Sequence, residues 1–244
     1  MTLFNKDCYE VMASMSDHSV DLIYADPPYE YDHFKSGTGG SVNKIMKLDK
    51  TLTPINEITD TKYDLLRFCN EAMRIMKEPN IYIWCNKAQF TEYFKFFVID
   101  NECKFEILFW NKTNALPTYS NKYLTDKEYC LYFHKGSGKT FPECYNDAKT
   151  ILYQSPINRE NKIYNHPNIK PLEFVKAHIR NSSREGWIVF DPFMGTGTAG
   201  VACKELGGRE YIGCEINPKH FETANNRING VVANTNSEKV GLFD

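Results

Sequence analysis

The sequence predicts an α/β fold, in which a mostly parallel, twisted sheet carries one antiparallel hairpin. Three observations lead to this prediction. Short apolar runs rich in β-branched and aromatic residues alternate with segments of helical spacing, as is typical of parallel sheets covered by helices. Two of these runs end in an acidic residue followed by proline, at Asp26-Pro27 and Asp191-Pro192. The 244 residues, of which 42% are hydrophobic and 25% charged, suffice for one large domain with a full core.

The first half of the chain contains most of the predicted strands. In order, we expect a strand at Leu3–Phe4, a helix at Tyr9–Met15, a buried strand at Val20–Ala25, a helix at Tyr63–Lys77, a strand at Ile81–Cys85, a helix at Gln89–Phe97, and a hairpin of Phe105–Trp110 with Glu128–Phe133. The second helix should bury the face that carries Leu66, Cys69, Met73 and Met76. Residues 30–60 lack periodicity. Because loops this long usually have a function, we expect a flexible loop over a site, with surface disorder as the alternative.

The second half of the chain alternates helices and strands more regularly. Residues 136–165 are rich in proline, asparagine and tyrosine, and they form either an inserted recognition segment or a linker. After them we expect a helix at Pro171–Asn181, a strand at Trp187–Asp191, a helix at Thr198–Leu206, a strand at Glu210–Glu215 and a helix at Pro218–Ile228. The domain therefore spans residues 1–230, and residues 231–244 form a loose tail.

Composition and charge narrow the class of protein. No apolar run approaches the roughly 18 residues that span a bilayer, and the amino terminus does not resemble a signal peptide. The eight cysteines form no C-x-x-C pair, which argues against a metal site and for reduced thiols in the cytoplasm. The net charge is −2, but residues 1–30 carry −5 and residues 149–180 carry +4. The basic stretch either contacts phosphates or forms a solvated helix face.

The first candidate site is Asp26-Pro27-Pro28-Tyr29, directly after the buried strand at Val20–Ala25. Ligands of open α/β sheets bind at the carboxyl ends of the strands, where this motif lies. The prolines fix the backbone, so the Pro27 carbonyl is a rigid hydrogen-bond acceptor beside the Asp26 carboxylate. Tyr29 adds a flat ring. Two acceptors and a stacking surface suit a planar ring that carries an exocyclic amine.

The second candidate site is the glycine turn from Asp191 to Thr198, followed by Glu215 at the end of the next strand. Its residues are Asp191, Pro192, Phe193, Met194, Gly195, Thr196, Gly197 and Thr198. Together with Gly200 and Glu215, the glycines match the dinucleotide fingerprint of nicotinamide enzymes. However, only 54 residues follow Phe190, too few for a second mononucleotide half. A sulfonium cofactor fits better, because Asp191 would favour its ammonium group and Glu215 its ribose hydroxyls.

The two sites together resemble a known family. Asp26-Pro27-Pro28-Tyr29 is similar to the catalytic motif of the S-adenosylmethionine-dependent amino-methyltransferases that act on DNA, and the glycine turn is similar to their cofactor motif. The order of the motifs, catalytic first and cofactor last, is that of the beta group of this family. Four further parts of the chain agree with it: Asn5-Lys6-Asp7-Cys8, the hairpin of Trp110-Asn111-Lys112 with Lys127-Glu128-Tyr129, His166-Pro167-Asn168-Ile169-Lys170-Pro171, and Gly213-Cys214-Glu215 followed by Phe221. The resemblance implies a single Rossmann-like class I methyltransferase domain.

The resemblance also implies roles for particular residues. Asp26, Pro27, Pro28 and Tyr29 would be catalytic, with Tyr29 stacking on a flipped base. Asp26, the glycine turn, Glu215 and Ile216 would bind S-adenosylmethionine. Asp7, with Cys8 beside it, would contact the adenine of the cofactor, or Asp7 would simply cap the following helix. Lys170 would pair with the cofactor carboxylate or a DNA phosphate, or it would be a solvated surface lysine.

The expected activity is transfer of a methyl group from S-adenosylmethionine to N6 of adenine in double-stranded DNA. Aspartate at position 26 favours adenine, and a cytosine N4-methyltransferase is the nearest alternative. A catalytically silent nucleic-acid-binding relative is an alternative of another class, and an enzyme acting on RNA is a third. The resemblance allows a homodimer, a restriction endonuclease partner and a short target-recognition role for residues 136–165. Neither a metal nor a membrane is expected.

Overall fold

The computed structural model of the chain describes residues 1–28, 63–113, 123–124, 126–136, 140–155, 164 and 169–230. Within them, eight strands form one sheet: β1 (Thr2–Phe4), β2 (Leu22–Ala25), β3 (Asn80–Cys85), β4 (Lys104–Lys112), β5 (Lys127–His134), β6 (Ile151–Ser155), β7 (Ile188–Asp191) and β8 (Glu210–Cys214). Their spatial order is β1-β8-β7-β2-β3-β5-β4-β6. The first five strands run parallel, and β5 is antiparallel to both β3 and β4. The predicted parallel sheet with an antiparallel hairpin is confirmed.

Helices cover both faces of this sheet. They are α1 (Cys8–Ser14), α2 (Leu65–Ile75), α3 (Lys87–Phe94), α4 (Leu172–Ser182), α5 (Thr198–Leu206) and α6 (Pro218–Asn229). Buried side chains of α1, α2 and α3 belong to one core cluster, and those of α4, α5 and α6 belong to a second. No helix of the described ranges is long and apolar enough to cross a membrane.

Side-chain caps explain where several helices begin. Asp7 accepts a hydrogen bond from the Tyr9 N–H at the start of α1, and Asp64 accepts one from the Arg67 N–H at the start of α2. Asn86 and Gln89 form a reciprocal capping box at the start of α3. Each cap satisfies amide N–H groups that have no partner inside their own helix.

Two helices differ from the prediction. The expectation that Leu66 is buried is wrong, because its side chain is 57% exposed. The buried face of α2 instead contains Phe68 and Ala72, and Leu66 lies about 200° around the helix from Phe68. In addition, α3 continues as a π-helix over Lys95–Asp100, beyond the predicted end at Phe97.

Residues 136–165 contain a strand that the sequence pattern did not predict. Strand β6 pairs in parallel with β4, with a register shift between Phe109 and Trp110. Part of the predicted recognition insert or linker therefore extends the sheet. The predicted loop at residues 30–60 and the tail at residues 231–244 lie outside the described residues.

The sheet topology gathers several chain segments at one edge. The carboxyl ends of β1, β8, β7, β2 and β3 all lie at this edge, because these strands are parallel. The amino end of β5 lies there too, since Tyr129 pairs with Cys85 at the end of β3. From β2 the sheet continues to β3 on one side, and from β7 it continues to β8 on the other. The point between β2 and β7 is thus a topological switch point, where open α/β sheets bind ligands.

Candidate active site

A pocket opens at the switch point between the ends of β2 and β7. Asp26 follows β2 directly, and Asp191 is the last residue of β7. The pocket is lined by Tyr24, Asp26, Ile169, Lys170, Val175, Asp191, Phe193, Met194, Gly195, Thr196, Thr198 and Ala199. The structure therefore brings together Asp26 of the first predicted motif, most of the glycine turn and Lys170.

The corner after β2 is fixed from the side of α3. The Gln89 side chain is buried, and its Nε2 donates a hydrogen bond of 2.9 Å to the Pro28 carbonyl. Its Oε1 accepts from the Asn86 N–H, so the start of α3 and the proline corner are tied together. Sequence reasoning missed this role of Gln89. Tyr29, the last residue of the predicted catalytic motif, lies outside the described residues.

Lys170 is a buried residue of this pocket. The alternative that it is a solvated surface lysine is wrong, because only 4% of its side chain is exposed. Its Nζ lies 2.7 Å from Oδ2 of Asp26 and 3.2 Å from Oε2 of Glu128. Burial by itself would lower the pKa of Lys170, but the two carboxylates outweigh burial and raise that pKa above its ordinary value. The ammonium therefore stays charged beside Asp26.

Glu128 is a second residue that sequence reasoning missed. It lies at the amino end of β5 and contacts Lys112, at the end of β4, as well as Lys170. Burial would raise the pKa of Glu128, but the two lysines outweigh burial and lower it. A signal was present in the sequence, since an acidic residue begins the largely apolar run that was predicted as a strand at Glu128–Phe133.

The glycine turn between β7 and α5 is held by backbone and side-chain hydrogen bonds. The Gly197 N–H donates to the Met194 carbonyl at 2.7 Å, and Gly197 has a left-handed φ of +81° that favours glycine. Glu215 accepts from the Gly195 N–H at 3.0 Å through Oε2 and from the Asn217 N–H at 2.8 Å through Oε1. The predicted ribose-binding acid therefore also braces the turn.

Acidic groups dominate the electrostatics of this turn. Burial raises the pKa of Asp191 to about 8, helped by the carboxylates of Asp26 and Glu215, although the Phe193 N–H and the Tyr211 hydroxyl bond to it. Burial also raises the pKa of Glu215. Neighbouring carboxylates repel one another, and a bound cation would relieve this repulsion. The residues present thus fit a ligand that carries a sulfonium and an ammonium group.

A second groove continues from the end of β8 along α1 and α2. Asp7 and Ile216 both line it. The Asn5 side chain brings them together, because its Nδ2 donates to the carbonyls of Glu215 and Ile216. The alternative that Asp7 caps α1 is confirmed, whereas its contact with a cofactor stays a prediction. Cys8 is buried, and burial raises the pKa of its thiol to about 12.

Arg227 on α6 holds the glycine turn from the other side, and sequence reasoning missed it. Its guanidinium donates to the hydroxyls of Thr196 and Thr198, at 3.3 Å and 2.9 Å. It also lies 4.6 Å from the ring centre of Tyr164. The hydroxyls of the turn are therefore oriented by α6, since each of them accepts a hydrogen bond from Arg227.

The predicted basic stretch contains bases that are paired within the molecule. Lys176 forms an ion pair with Glu205 at 2.8 Å, and Arg180 forms one with Asp147 at 2.8 Å. With Lys170, three of its six bases are engaged by carboxylates of this chain. These three residues therefore form neither a free phosphate-binding patch nor a simple solvated helix face.

Comparisons with known proteins agree with this architecture. The DNA methylase family N6_N4_Mtase matches residues 20–226. The type II methyltransferase M2.LlaDCHI of Lactococcus lactis subsp. cremoris is 28% identical over 93% of this chain and 88% of its own length. The type II methyltransferase M.HinfI of Haemophilus influenzae is 29% identical over 96% of this chain and 70% of its own length.

Solved structures share the fold. A complex of M1.HpyAVI with SAM has a TM-score of 0.66 and 24% identity, over 93% of this chain and 98% of that one. The cytosine-N4-specific PvuII DNA methyltransferase has a TM-score of 0.64 and 16% identity, over 94% and 90% of the two chains. The family match spans most of the chain, so the alternative interpretation as a dinucleotide-binding oxidoreductase is wrong. The chain belongs to the family of N6-adenine and N4-cytosine DNA methyltransferases.

Proposed function

We propose that this protein methylates N6 of adenine in double-stranded DNA. As a member of its family, it is a DNA amino-methyltransferase that uses S-adenosylmethionine. The observation that carries the proposal is the position of Asp26, at the switch point of the sheet and 2.7 Å from the buried ammonium of Lys170. This neighbour favours the ionised form of Asp26, the form that accepts hydrogen bonds from an amine.

The cofactor would lie along the glycine turn and the adjoining groove. S-adenosylmethionine supplies an electrophilic methyl group on a sulfonium. Asp191 would face its ammonium group, Glu215 would accept from its ribose hydroxyls, and Asp7 and Ile216 would border its adenine. The raised pKa of Asp191, caused mainly by burial, supports this assignment because a cation relieves the unfavourable charge.

Asp26 and Pro27 would position the target amine. The lone pair of an aromatic exocyclic amine is delocalised into its ring, so the nitrogen is a poor nucleophile. Hydrogen bonds from the amine to the Asp26 carboxylate and the Pro27 carbonyl would favour a pyramidal nitrogen whose lone pair is exposed. Positioning and electrostatic stabilisation of this kind supply large parts of enzymatic rate enhancements. The base must leave the duplex to reach the pocket, and stacking on Tyr29 stays a prediction.

The choice of adenine rests on aspartate at position 26, and cytosine N4 is the alternative. Cytosine deserves a test because the cytosine-N4-specific PvuII enzyme has the same fold. The relatives M2.LlaDCHI and M.HinfI are named type II methyltransferases, which supports a place in a restriction-modification system with a separate endonuclease. A homodimer stays a prediction of the family resemblance.

The decisive experiment identifies the methylated nucleoside. Purified protein is incubated with methyl-labelled S-adenosylmethionine and unmethylated genomic DNA, which is then digested to nucleosides. We expect N6-methyladenine. Asp26→Asn keeps the size of the side chain but removes its charge, and we expect it to lower kcat by about 100-fold or more. Cofactor binding, measured separately, should stay within about threefold of the parent.

A matched substitution controls for nonspecific effects. Asp100→Asn removes a carboxylate that forms an ion pair with Lys95 on the surface, and it should keep the parent activity. N4-methylcytosine as the product would show that the target base is cytosine and not adenine. Cofactor binding without label in any DNA would favour an RNA substrate or a catalytically silent nucleic-acid-binding protein.

A further inference from the structure

Four charged side chains form a continuous chain that ends at Asp26. Lys112 contacts Glu128, Glu128 contacts Lys170 at 3.2 Å, and Lys170 contacts Oδ2 of Asp26 at 2.7 Å. We call these four residues the charge chain. It alternates in sign and contains two cations and two anions, so the charge of Asp26 is balanced within the group.

The charge chain is assembled from four separate parts of the fold. Lys112 ends β4, Glu128 lies at the start of β5, Lys170 precedes α4, and Asp26 follows β2. The exposed fractions of these side chains are 15%, 11%, 4% and 28% in the same order. Exposure is greatest at Asp26, which borders the pocket. The charge chain therefore extends from the hairpin of β4 and β5 to Asp26 at the pocket.

Two tryptophan rings limit where the ammonium groups can go. Lys170 Nζ lies 4.9 Å from the ring centre of Trp84, and Lys112 Nζ lies 5.0 Å from that of Trp110. Both indole rings are fully buried. Each ring attracts its cation and blocks other positions of the flexible lysine side chain. The ammonium of Lys170 is thus held by Trp84 and Glu128 at a fixed distance from Asp26.

Stability alone is a weak reason for such a chain. Buried ion pairs can often be replaced by apolar residues of similar size without loss of stability, because desolvating the charges offsets their attraction. The charge chain ends at the Asp26 carboxylate, so it can fix the orientation of that carboxylate in the pocket. A carboxylate with one oxygen held by a fixed ammonium cannot rotate freely about its terminal bond.

We propose that Glu128 is a positioning residue, which holds the Lys170 ammonium against Oδ2 of Asp26 and so fixes the plane of the catalytic carboxylate. The proposal rests on the function proposed above for Asp26. Glu128 reaches Asp26 through Lys170, because its Oε2 lies 3.2 Å from the Lys170 Nζ, which in turn lies 2.7 Å from Oδ2 of Asp26. Its effect should therefore be on the rate of the chemical step and not on the binding of DNA or cofactor.

The first test separates rate from binding. Glu128→Gln keeps the size of the side chain and removes its charge. We expect kcat to fall about 10- to 100-fold, as for a modest misplacement of a reacting group, with KM for DNA and Kd for the cofactor within about twofold. Glu173→Gln is the matched control, because Glu173 pairs with Lys176 on the surface of α4. It should behave as the parent.

The second test follows Lys170 itself, without cofactor or DNA. The titratable groups that face Lys170 within the described residues are Asp26, Glu128, the Cys130 thiol, and Asp191, which lines the same pocket. Loss of the Glu128 anion leaves burial less opposed, so the Lys170 pKa should fall. Carbon NMR of ¹³C-labelled lysine, with the signal assigned by Lys170→Met, should show Lys170 titrating at a lower pH in Glu128→Gln than in the parent. The kcat of this variant should decline as Lys170 loses its proton.

Each outcome separates this inference from the proposed function. If Glu128→Gln does not fold, the double variant Lys112→Met with Glu128→Gln removes the pair without leaving an unpaired lysine, and the same changes are expected. Parent values of both kcat and the Lys170 pKa in either variant would overturn the role of Glu128 alone. If Asp26→Asn keeps the parent kcat, the proposed function fails, and this inference fails with it.

Discussion

At the scale of single residues, Asp191 has the most informative environment. Burial raises the pKa of its carboxyl group to about 8, and the nearby carboxylates of Asp26 and Glu215 add to this effect. At pH 7 the group is therefore mostly protonated in the protein alone. A ligand with an ammonium group beside Asp191 would favour the ionised carboxylate. Binding of S-adenosylmethionine should then be coupled to the release of a proton.

This coupling is measurable by calorimetry. Titration of S-adenosylmethionine into the protein at pH 7, in buffers that differ in ionisation enthalpy, should show release of about one proton per site. Because a proton is released, the affinity should rise as the pH increases from about 6 towards 8. Asp191→Asn cannot release this proton and should show buffer-independent enthalpies. Identical enthalpies in all buffers for the parent would mean that the ligand does not ionise Asp191.

Some site residues could be predicted from the sequence, and others could not. Asp26 and Asp191 are visible because each follows an apolar run and precedes proline, which places both at strand ends. The roles of Gln89 and Glu128 depend on contacts with other elements of the fold. Gln89 reaches the Pro28 carbonyl across 61 positions. The acidic start of its predicted strand marks Glu128, but no local pattern shows that its partner is Lys170, so only the folded arrangement reveals either role.

At the scale of elements, Gly200 explains how α5 and α6 pack. A Cβ atom built on Gly200 would lie 2.4 Å from Cδ1 of Ile228 on α6 and 2.9 Å from Cε1 of Tyr211 on β8. The third glycine of the apparent dinucleotide fingerprint is therefore required by close packing in this fold. It carries no information about the chemical class of the ligand, which explains why the motif alone allowed two interpretations.

This packing predicts a specific pair of variants. Gly200→Ala should lower the free energy of unfolding by about 1–3 kcal/mol, since it overpacks a closed contact. Ile228→Val removes the Cδ1 atom and should recover part of that loss when combined with Gly200→Ala. Urea unfolding of the parent, both single variants and the double variant gives the interaction energy. Strictly additive losses would show that Gly200 and Ile228 are not in contact.

Element boundaries show where local patterns mislead. Helix α5 begins and ends at the predicted residues, because a glycine turn precedes it and Gly207 follows it. Strand β6 was not predicted. Its sequence, Ile-Leu-Tyr-Gln-Ser, is short, lacks polar alternation and lies in a segment rich in turn-forming residues. Its strand conformation comes from pairing with β4, a tertiary effect that propensity does not include.

At the scale of the whole molecule, the two motifs are far apart in the sequence but adjacent in the sheet. The catalytic corner comes first in the sequence, yet it follows β2, which lies beside β7 at the centre of the sheet. The strands on the cofactor side, β7 and β8, come last and are bordered by β1 from the amino terminus. The fold class was predictable because each strand is locally apolar. The spatial order of the strands was not predicted, because it depends on tertiary pairing that local patterns do not contain.

The sheet is bound to its second layer of helices through a buried histidine. The ring of His178 on α4 stacks on Tyr82 at 4.7 Å and contacts the edge of Phe174 at 4.3 Å. Its Nδ1 lies 3.3 Å from the Tyr24 hydroxyl, whereas its Nε2 has no hydrogen-bond partner within the described residues. Burial lowers the pKa of His178 from 6.5 to about 3. The folded protein thus keeps this ring neutral.

Acid should therefore destabilise the whole molecule through His178. Below about pH 6.5 the unfolded chain binds a proton that the folded protein excludes, so the free energy of unfolding falls by up to about 1.4 kcal/mol per pH unit. Between about pH 4 and 6.5, Asp191 acts in the opposite sense, because its raised pKa makes the folded state bind the extra proton. Comparison of the parent with His178→Gln by urea unfolding isolates the histidine, and the difference between the two should shrink steadily from pH 7 to 5. A constant difference between the parent and His178→Gln would mean that His178 takes up its proton while the protein remains folded, and that its place between α4 and the sheet admits solvent.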